Sequence, residues 1–150
     1  LRAEMYGLCA IILAEDGLVW NMRILNDGPL GRKYGYSEAA SSSAPSKIIN
    51  ALKVIDAKLK SQEKLNSKFL IGDELSAVDI YWATMSMCMI PATEDIMPKT
   101  KQNQGMLARF EAISKIPDFA NIISPLMRDH QRNILKTYCE TPAILGGDPL

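Results

Sequence analysis

The most reactive side chains in this sequence are those of three cysteines and one histidine. Cys9, Cys88 and Cys139 show no CxxC spacing, and an odd number of cysteines cannot pair completely within one chain. Free thiols are typical of a reducing compartment, so the sequence favours a cytoplasmic protein. The single histidine, His130, lies on a predicted helix beside charged residues, and we expect it at the surface. No set of residues has the spacing of a metal site, and we expect none.

One methionine-rich segment raises the alternative of a soft-metal site. Met85, Met87 and Met89 alternate with other residues around Cys88, and thioether and thiolate groups are ligands that soft metals prefer. Successive positions of a helix point to different faces, however. The sequence therefore favours the packing of these side chains in the core over metal binding.

The composition is that of one folded, soluble domain. The 150 residues are 47% hydrophobic and 23% charged, close to the averages for globular proteins. Lys plus Arg and Asp plus Glu both number 17, so a net charge of zero gives no electrostatic basis for binding nucleic acid or an anionic membrane. The most apolar segment, residues 77–90, is too short to span a bilayer. We expect neither a nucleic-acid partner nor a membrane.

Apolar residues at helical spacing predict an all-α fold, a bundle of about five to six helices. The first helix is predicted over residues 1–26 and ends before Gly28 and Pro29, which favour a helix stop. Residues 31–46 are rich in Gly, Ser, Tyr and Ala, and we expect a mobile surface loop there. A second helix is predicted from about residue 45 to residue 65.

The second half of the chain contains the clearest helix boundaries. A buried helix is predicted over residues 77–90, and a fourth helix contains residues 106–113. A bend at residues 116–118 precedes a last helical stretch, which Ser124 and Pro125 restart. This stretch is predicted to end near residue 138, so the helical domain covers residues 1–138, with an irregular tail over residues 139–150.

The start of the buried helix carries a predicted capping motif. Ser76 is a candidate N-cap and Asp79 follows three residues later, so each side chain can bond to the backbone N–H of the other in a capping box. Leu75 and Ile80 occupy the two positions of a hydrophobic staple. For the loss of one N-cap bond, we expect Ser76→Ala or Asp79→Ala to cost about 0.5 to 2 kcal/mol.

Residues 69–80, Phe-Leu-Ile-Gly-Asp-Glu-Leu-Ser-Ala-Val-Asp-Ile, resemble the C-terminal helical domain of glutathione transferases. The family pattern is an apolar pair, Gly-Asp, two residues, Ser or Thr, one residue, usually Ala, then Asp. Val78 departs from the usual Ala, which is a modest packing change. The predicted order of helices is similar to that of the family over about residues 1–138. The capping box identifies a fold and carries no chemistry of its own.

The resemblance implies that this chain is one half of a larger protein. In the family, a Tyr, Ser or Cys of an upstream thioredoxin-like domain activates the thiol of glutathione, the cosubstrate, and this sequence contains no such domain. The chain begins with Leu1 instead of methionine, which also favours a piece of a longer protein. The resemblance therefore assigns no catalytic residue here, and we expect the chain by itself to be inactive in glutathione conjugation.

The helical half of the family supplies the wall of a pocket for a small hydrophobic electrophile and often a homodimer interface. By resemblance, Asp16 corresponds to the carboxylate that some family members direct towards the amino group of glutathione in the partner subunit. The positions that correspond to the second-substrate pocket are Trp20, Met22, Arg23 and Asn26.

Each of these residues also has a simpler interpretation. Asp16 suits a solvated helix surface, and Trp20 and Met22 suit the core or an interface. Arg23 suits either a local pair with Asp27 or Asn26 or the anchoring of an acidic substrate.

Two functions are compatible with the sequence. The first is the substrate-binding and dimerisation half of a glutathione transferase-like enzyme. The second is a non-catalytic protein interaction module of the same fold, like those in elongation-factor and tRNA-synthetase assemblies. The neutral charge and the lack of a lysine-rich face favour the first.

Overall fold

A computed structural model describes residues 1–143 of the chain. This part contains α-helices and one 3-10 turn without any strand, which confirms the predicted all-α class. The predicted tail forms no helix over residues 139–143, and residues 144–150 lie outside the described residues. Within residues 1–143, no helix is both long and apolar enough to cross a bilayer. The helices are α1 (Arg2–Leu13), α2 (Leu18–Arg23), α3 (Pro29–Lys33), α4 (Glu38–Glu63), α5 (Ala77–Met85), α6 (Gln104–Ser114), α7 (Pro117–Ala120) and α8 (Pro125–Tyr138), and the 3-10 turn is Ser86–Cys88.

Helix α5 is the centre of the bundle. It packs against α1 on one side and α8 on another, while α4 contacts α2, α7 and α8. The indole of Trp82 in α5 is fully buried in the main core cluster. A smaller cluster lies where Ala83 and Met87 face α8 and the segment around Ile96. The predicted central position of this helix is therefore confirmed.

The prediction of a single first helix over residues 1–26 is wrong, because the chain turns at residues 14–17 and divides this segment into α1 and α2. A Cβ atom on Gly17 would lie 2.8 to 2.9 Å from three carbonyl oxygens at the end of α1, so only glycine fits there. Asp16 adopts a left-handed conformation with φ of 65°. The Asn21 side chain donates to the carbonyl oxygens of Asp16, at 2.7 Å, and Gly17, at 2.9 Å, and so stabilises the turn.

The mobile loop that the sequence predicts over residues 31–46 is also wrong. Helix α3 extends to Lys33, and α4 begins at Glu38, seven residues before the predicted start. The Ser37 hydroxyl accepts the Ala40 N–H at 3.1 Å and so caps α4. Ala44 in this segment is fully buried, so tertiary packing stabilises a helix that Pro45 and four serines disfavour locally.

The remaining helix predictions for the second half are confirmed. The helix predicted over residues 77–90 is present as α5 followed by the 3-10 turn, and α6 covers residues 106–113. The predicted bend is the start of α7 at Pro117. The Ser124 hydroxyl accepts the Met127 N–H at 3.3 Å, and α8 ends at Tyr138 as predicted.

The Asp79 carboxylate does more than the predicted capping box requires. The backbone N–H of Asp79 faces the Ser76 side chain in capping-box geometry and donates to the Ser76 carbonyl oxygen at 3.1 Å. The Asp79 carboxylate accepts the Ser76 N–H at 2.9 Å. It also accepts the Leu70 N–H at 2.7 Å and lies 3.0 Å from Nε2 of His130. The predicted surface position of His130 is therefore wrong, because α8 carries this residue into the core beside Asp79.

Candidate ligand-binding cavity

A cavity of about 600 Å³ lies among α2, α3, the C-terminal end of α5 with its 3-10 turn, and α6. Most of its lining is aliphatic, aromatic or thioether, and among residues 1–143 no carboxylate lines it. The residues that line it are Val19, Met22, Arg23, Leu30, Thr84, Met85, Cys88, Gly105, Met106, Arg109, Phe110 and Ile113.

Two local features position the walls of this cavity. In α6, Met106, Arg109, Phe110 and Ile113 follow the spacing i, i+3, i+4, i+7, so one face of the helix points to the cavity. The 3-10 turn, which forms another part of the wall, is fixed from α8, where the Gln131 amide donates to the Ser86 hydroxyl at 3.0 Å and to the Ile90 carbonyl at 2.9 Å. These bonds hold the 3-10 turn that carries Cys88.

The uncharged polar groups of the lining are satisfied within the protein. The Thr84 hydroxyl donates to the Ile80 carbonyl at 2.7 Å, and the Cys88 thiol donates to the Met85 carbonyl at 3.0 Å. Burial raises the pKa of the Cys88 thiol to about 12. Cys88 is therefore a neutral thiol and a poor nucleophile at neutral pH.

Within the described residues, Arg23 and Arg109 supply the only charges on the cavity lining. The guanidinium carbon of Arg23 lies 4.2 Å from the centroid of the Tyr34 ring, a cation–π contact that fixes its position. Within residues 1–143, neither arginine forms an ion pair with a carboxylate. The local Arg23–Asp27 pair that the sequence allows is not formed, because Asp27 pairs with Arg32 at 2.7 Å.

A second cavity, of about 570 Å³, contains two of the other predicted site residues, Asp16 and Trp20. The Asp16 carboxylate lies 2.6 Å from the Lys47 ammonium, and this hydrogen bond lowers the pKa of the Asp16 carboxyl below its ordinary value. Trp20 makes an edge-to-face contact with Tyr34, with ring centroids 5.1 Å apart. The Tyr34 ring therefore contacts Trp20 of this cavity as well as Arg23 of the first.

The predicted pocket residues are thus divided among three places. Met22 and Arg23 line the first cavity, Trp20 lines the second, and Asn26 is exposed and lines neither. In the capping motif, Leu75 is 40% exposed and Ile80 packs on the smaller core cluster, so the staple between them stays a prediction.

The sequence interpretation missed the contribution of α6. Arg109 stands within the apolar face that Met106, Phe110 and Ile113 define, and this was the one available signal. A charged residue in the middle of an apolar helical stripe indicates a surface that is neither ordinary core nor ordinary solvent face.

Comparisons of the chain with protein-family models, with curated proteins and with solved structures found no match. The resemblance of residues 69–80 to glutathione transferases therefore stays a prediction from the sequence. The chemistry of the cavity depends only on the residues that line it.

Proposed function

We propose that the chain binds a small hydrophobic electrophile in the cavity among α2, α3, α5 and α6, as the helical half of a glutathione transferase-like protein. The cavity itself is the observation that carries this proposal. Its volume of about 600 Å³ is that of a small-molecule site. Its walls are mainly apolar, with a few fixed polar groups, which is the composition that binds apolar ligands.

The chemistry of the lining supports a binding role in which the nucleophile comes from elsewhere. Among residues 1–143, Cys88 is the one thiol on the lining, and burial keeps it protonated. In the proposed function, glutathione is the nucleophile and a thioredoxin-like domain upstream of this chain activates it. The chain then contributes the binding and orientation of the electrophile.

The proposal includes a homodimer formed through α1. Tyr6 of α1 is 58% exposed, and Leu1, directly before this helix, is 82% exposed, which supports a partner surface there. The same two residues favour the second candidate function, a non-catalytic interaction module of the same fold. The two candidates differ in the cavity, because the module does not require it to bind a small molecule.

Filling the cavity is expected to abolish the binding of a neutral hydrophobic probe. Gly105 lines the cavity from α6, and a Cβ atom there meets no other atom within 4 Å. Gly105→Leu therefore places an isobutyl group in open space and improves the helix propensity of α6 by about 0.8 kcal/mol. We expect this variant to fold normally and to bind Nile red at least about tenfold more weakly, as judged by fluorescence titration.

The matched control is Gly7→Leu. Gly7 is a helical glycine of α1 with open space around it and lies outside the cavity. This variant is expected to bind Nile red as the unmodified chain does. No saturable binding by the unmodified chain, or equal binding by both variants, would contradict the proposed site and favour the interaction module.

A further inference from the structure

The charge on the cavity lining is unusual for a site that serves only neutral hydrocarbons. Arg23 and Arg109 lie on different helices, α2 and α6, and both border the same apolar space. No carboxylate lies on this lining, and neither guanidinium has a carboxylate partner in the described part of the chain. The cavity therefore combines a hydrocarbon wall with two cations that remain free to bind an anion.

The position of Arg23 shows that its charge is held in place. The guanidinium carbon lies 4.2 Å from the centroid of the Tyr34 ring, and within residues 1–143 its N–H donors form no hydrogen bond or ion pair. Arg109 is exposed and lines the same cavity from α6. The positive charge of both arginines also acts on the Cys88 thiol at the cavity wall and opposes the effect of burial on its pKa.

We propose that this cavity selects amphipathic anions, in which a carboxylate, sulfonate or phosphate group binds Arg23 and Arg109 while the apolar body contacts Met22, Met85 and Phe110. This inference rests on the proposed function, because it assigns the ligand class of the same cavity. The guanidinium group suits such anions because it offers paired N–H donors to two oxygen atoms. A neutral ligand of equal length would use the apolar wall alone.

The test compares decanoate with decanol, which share one hydrocarbon chain and differ in the charge of the head group. Both affinities are measured by displacement of Nile red from the unmodified chain and from Arg23→Gln and Arg109→Gln. We expect each substitution to weaken the binding of decanoate about three- to tenfold, the effect of one partly exposed ionic contact. The affinity for decanol is expected to change less than about twofold, because no apolar contact is lost.

Two control variants separate charge from structure. Arg132→Gln removes an exposed arginine of α8 that lies outside the cavity and is expected to change neither affinity. Arg109→Lys retains the charge but not the paired donors, and it is expected to weaken the binding of decanoate less than Arg109→Gln does. The effect of Arg109→Gln is also expected to shrink when salt is raised from 0.05 to 0.5 M, since screening weakens exposed ionic contacts.

The outcomes distinguish this inference from the proposed function. If decanol binds and Gly105→Leu prevents it, but the glutamine variants leave the ratio of decanoate to decanol affinity unchanged, the anion selectivity is wrong and the cavity remains the ligand site. If both ligands lose affinity in parallel in the glutamine variants, the arginines act through structure and the inference is also wrong. If neither ligand binds to the unmodified chain, both proposals fail.

Discussion

Asp79→Ala is expected to destabilise the domain by about 3 to 5 kcal/mol, the cost of removing one partner from a buried polar cluster. The Asp79 carboxylate is fully buried and accepts the N–H of Leu70 and both the N–H and hydroxyl of Ser76. It also pairs with Nε2 of His130, whose Nδ1 atom has no partner within residues 1–143. The substitution leaves these buried donors without an acceptor, which costs more than the loss of a helix cap.

Urea unfolding of purified variants measures this effect, and Ser76→Ala is the matched control. Ser76→Ala removes only the hydroxyl group and keeps the bonds from Leu70 and His130 to the carboxylate, so about 0.5 to 2 kcal/mol is expected. Equal losses in the two variants would show that Asp79 acts as a cap alone and that its contact with His130 contributes no stability.

The pH dependence of unfolding provides a second readout of the same cluster. Burial raises the pKa of the Asp79 carboxyl, but the hydrogen bonds from His130, Leu70 and Ser76 outweigh it and hold the pKa below the ordinary value of 3.8. Because the pKa is lower in the folded state, the stability is fully present above about pH 4 and is lost as the pH falls below that value. Asp79→Ala is therefore expected to lose less stability than the unmodified chain between pH 5 and pH 2.

Trp82→Ala is expected to have a similarly large effect, about 3 to 5 kcal/mol, because it leaves a cavity where α5 packs between α1 and α8. The indole is fully buried in the main core cluster. Its Nε1–H group has no partner in residues 1–143, so Trp82→Phe loses no hydrogen bond and is expected to cost less than Trp82→Ala.

The control for Trp82 is the preceding residue of the same helix. Tyr81 is 40% exposed, so Tyr81→Ala tests the same change to alanine without a buried cavity, and a loss below about 1 kcal/mol is expected. Thermal and urea unfolding measure the loss of stability in both variants. A loss at Trp82 no larger than the loss at Tyr81 would contradict the central position of α5 in the core.

The sequence predicted the second half of the fold better than the first for a physical reason. Boundaries at Ser76, Pro117 and Ser124 are local, since a cap or a proline acts on the residues beside it. The turn at Gly17 depends on three carbonyl oxygens of the preceding helix, and the helix around Ala44 depends on burial against other elements. Neither the turn nor this helix can be predicted from the spacing of apolar residues in the sequence.

His130 shows why local sequence patterns do not predict contacts between residues that are distant in the sequence. The neighbouring Arg128 and Asp129 are exposed, which made a surface position the ordinary expectation. Helix α8 nevertheless turns His130 towards α5, where the carboxylate of Asp79, 51 residues away in sequence, compensates the cost of burying the imidazole. The capping box identified Asp79 correctly but not its second partner.

The candidate site was predictable only in part. The resemblance placed Met22 and Arg23 at a pocket, and both line the larger cavity. Trp20 lies elsewhere because it is on a different face of α2 from Met22 and Arg23, and Asn26 lies beyond the end of this helix. The charge in the apolar stripe of α6 marked Arg109 as unusual, but its position at this cavity depends on the packing of α6 on the 3-10 turn, which the sequence does not show.

The most direct test of the cavity as a ligand site uses the methionine methyl groups as reporters. Met22, Met85 and Met106 line the cavity, whereas Met87, Met97 and Met127 lie in the core away from it. With methyl-¹³C methionine, titration with decanol is expected to shift the first three signals in a saturable manner and to leave the other three in place. Unchanged signals from the cavity methionines at saturating decanol, or shifts confined to the other methionines, would contradict the account.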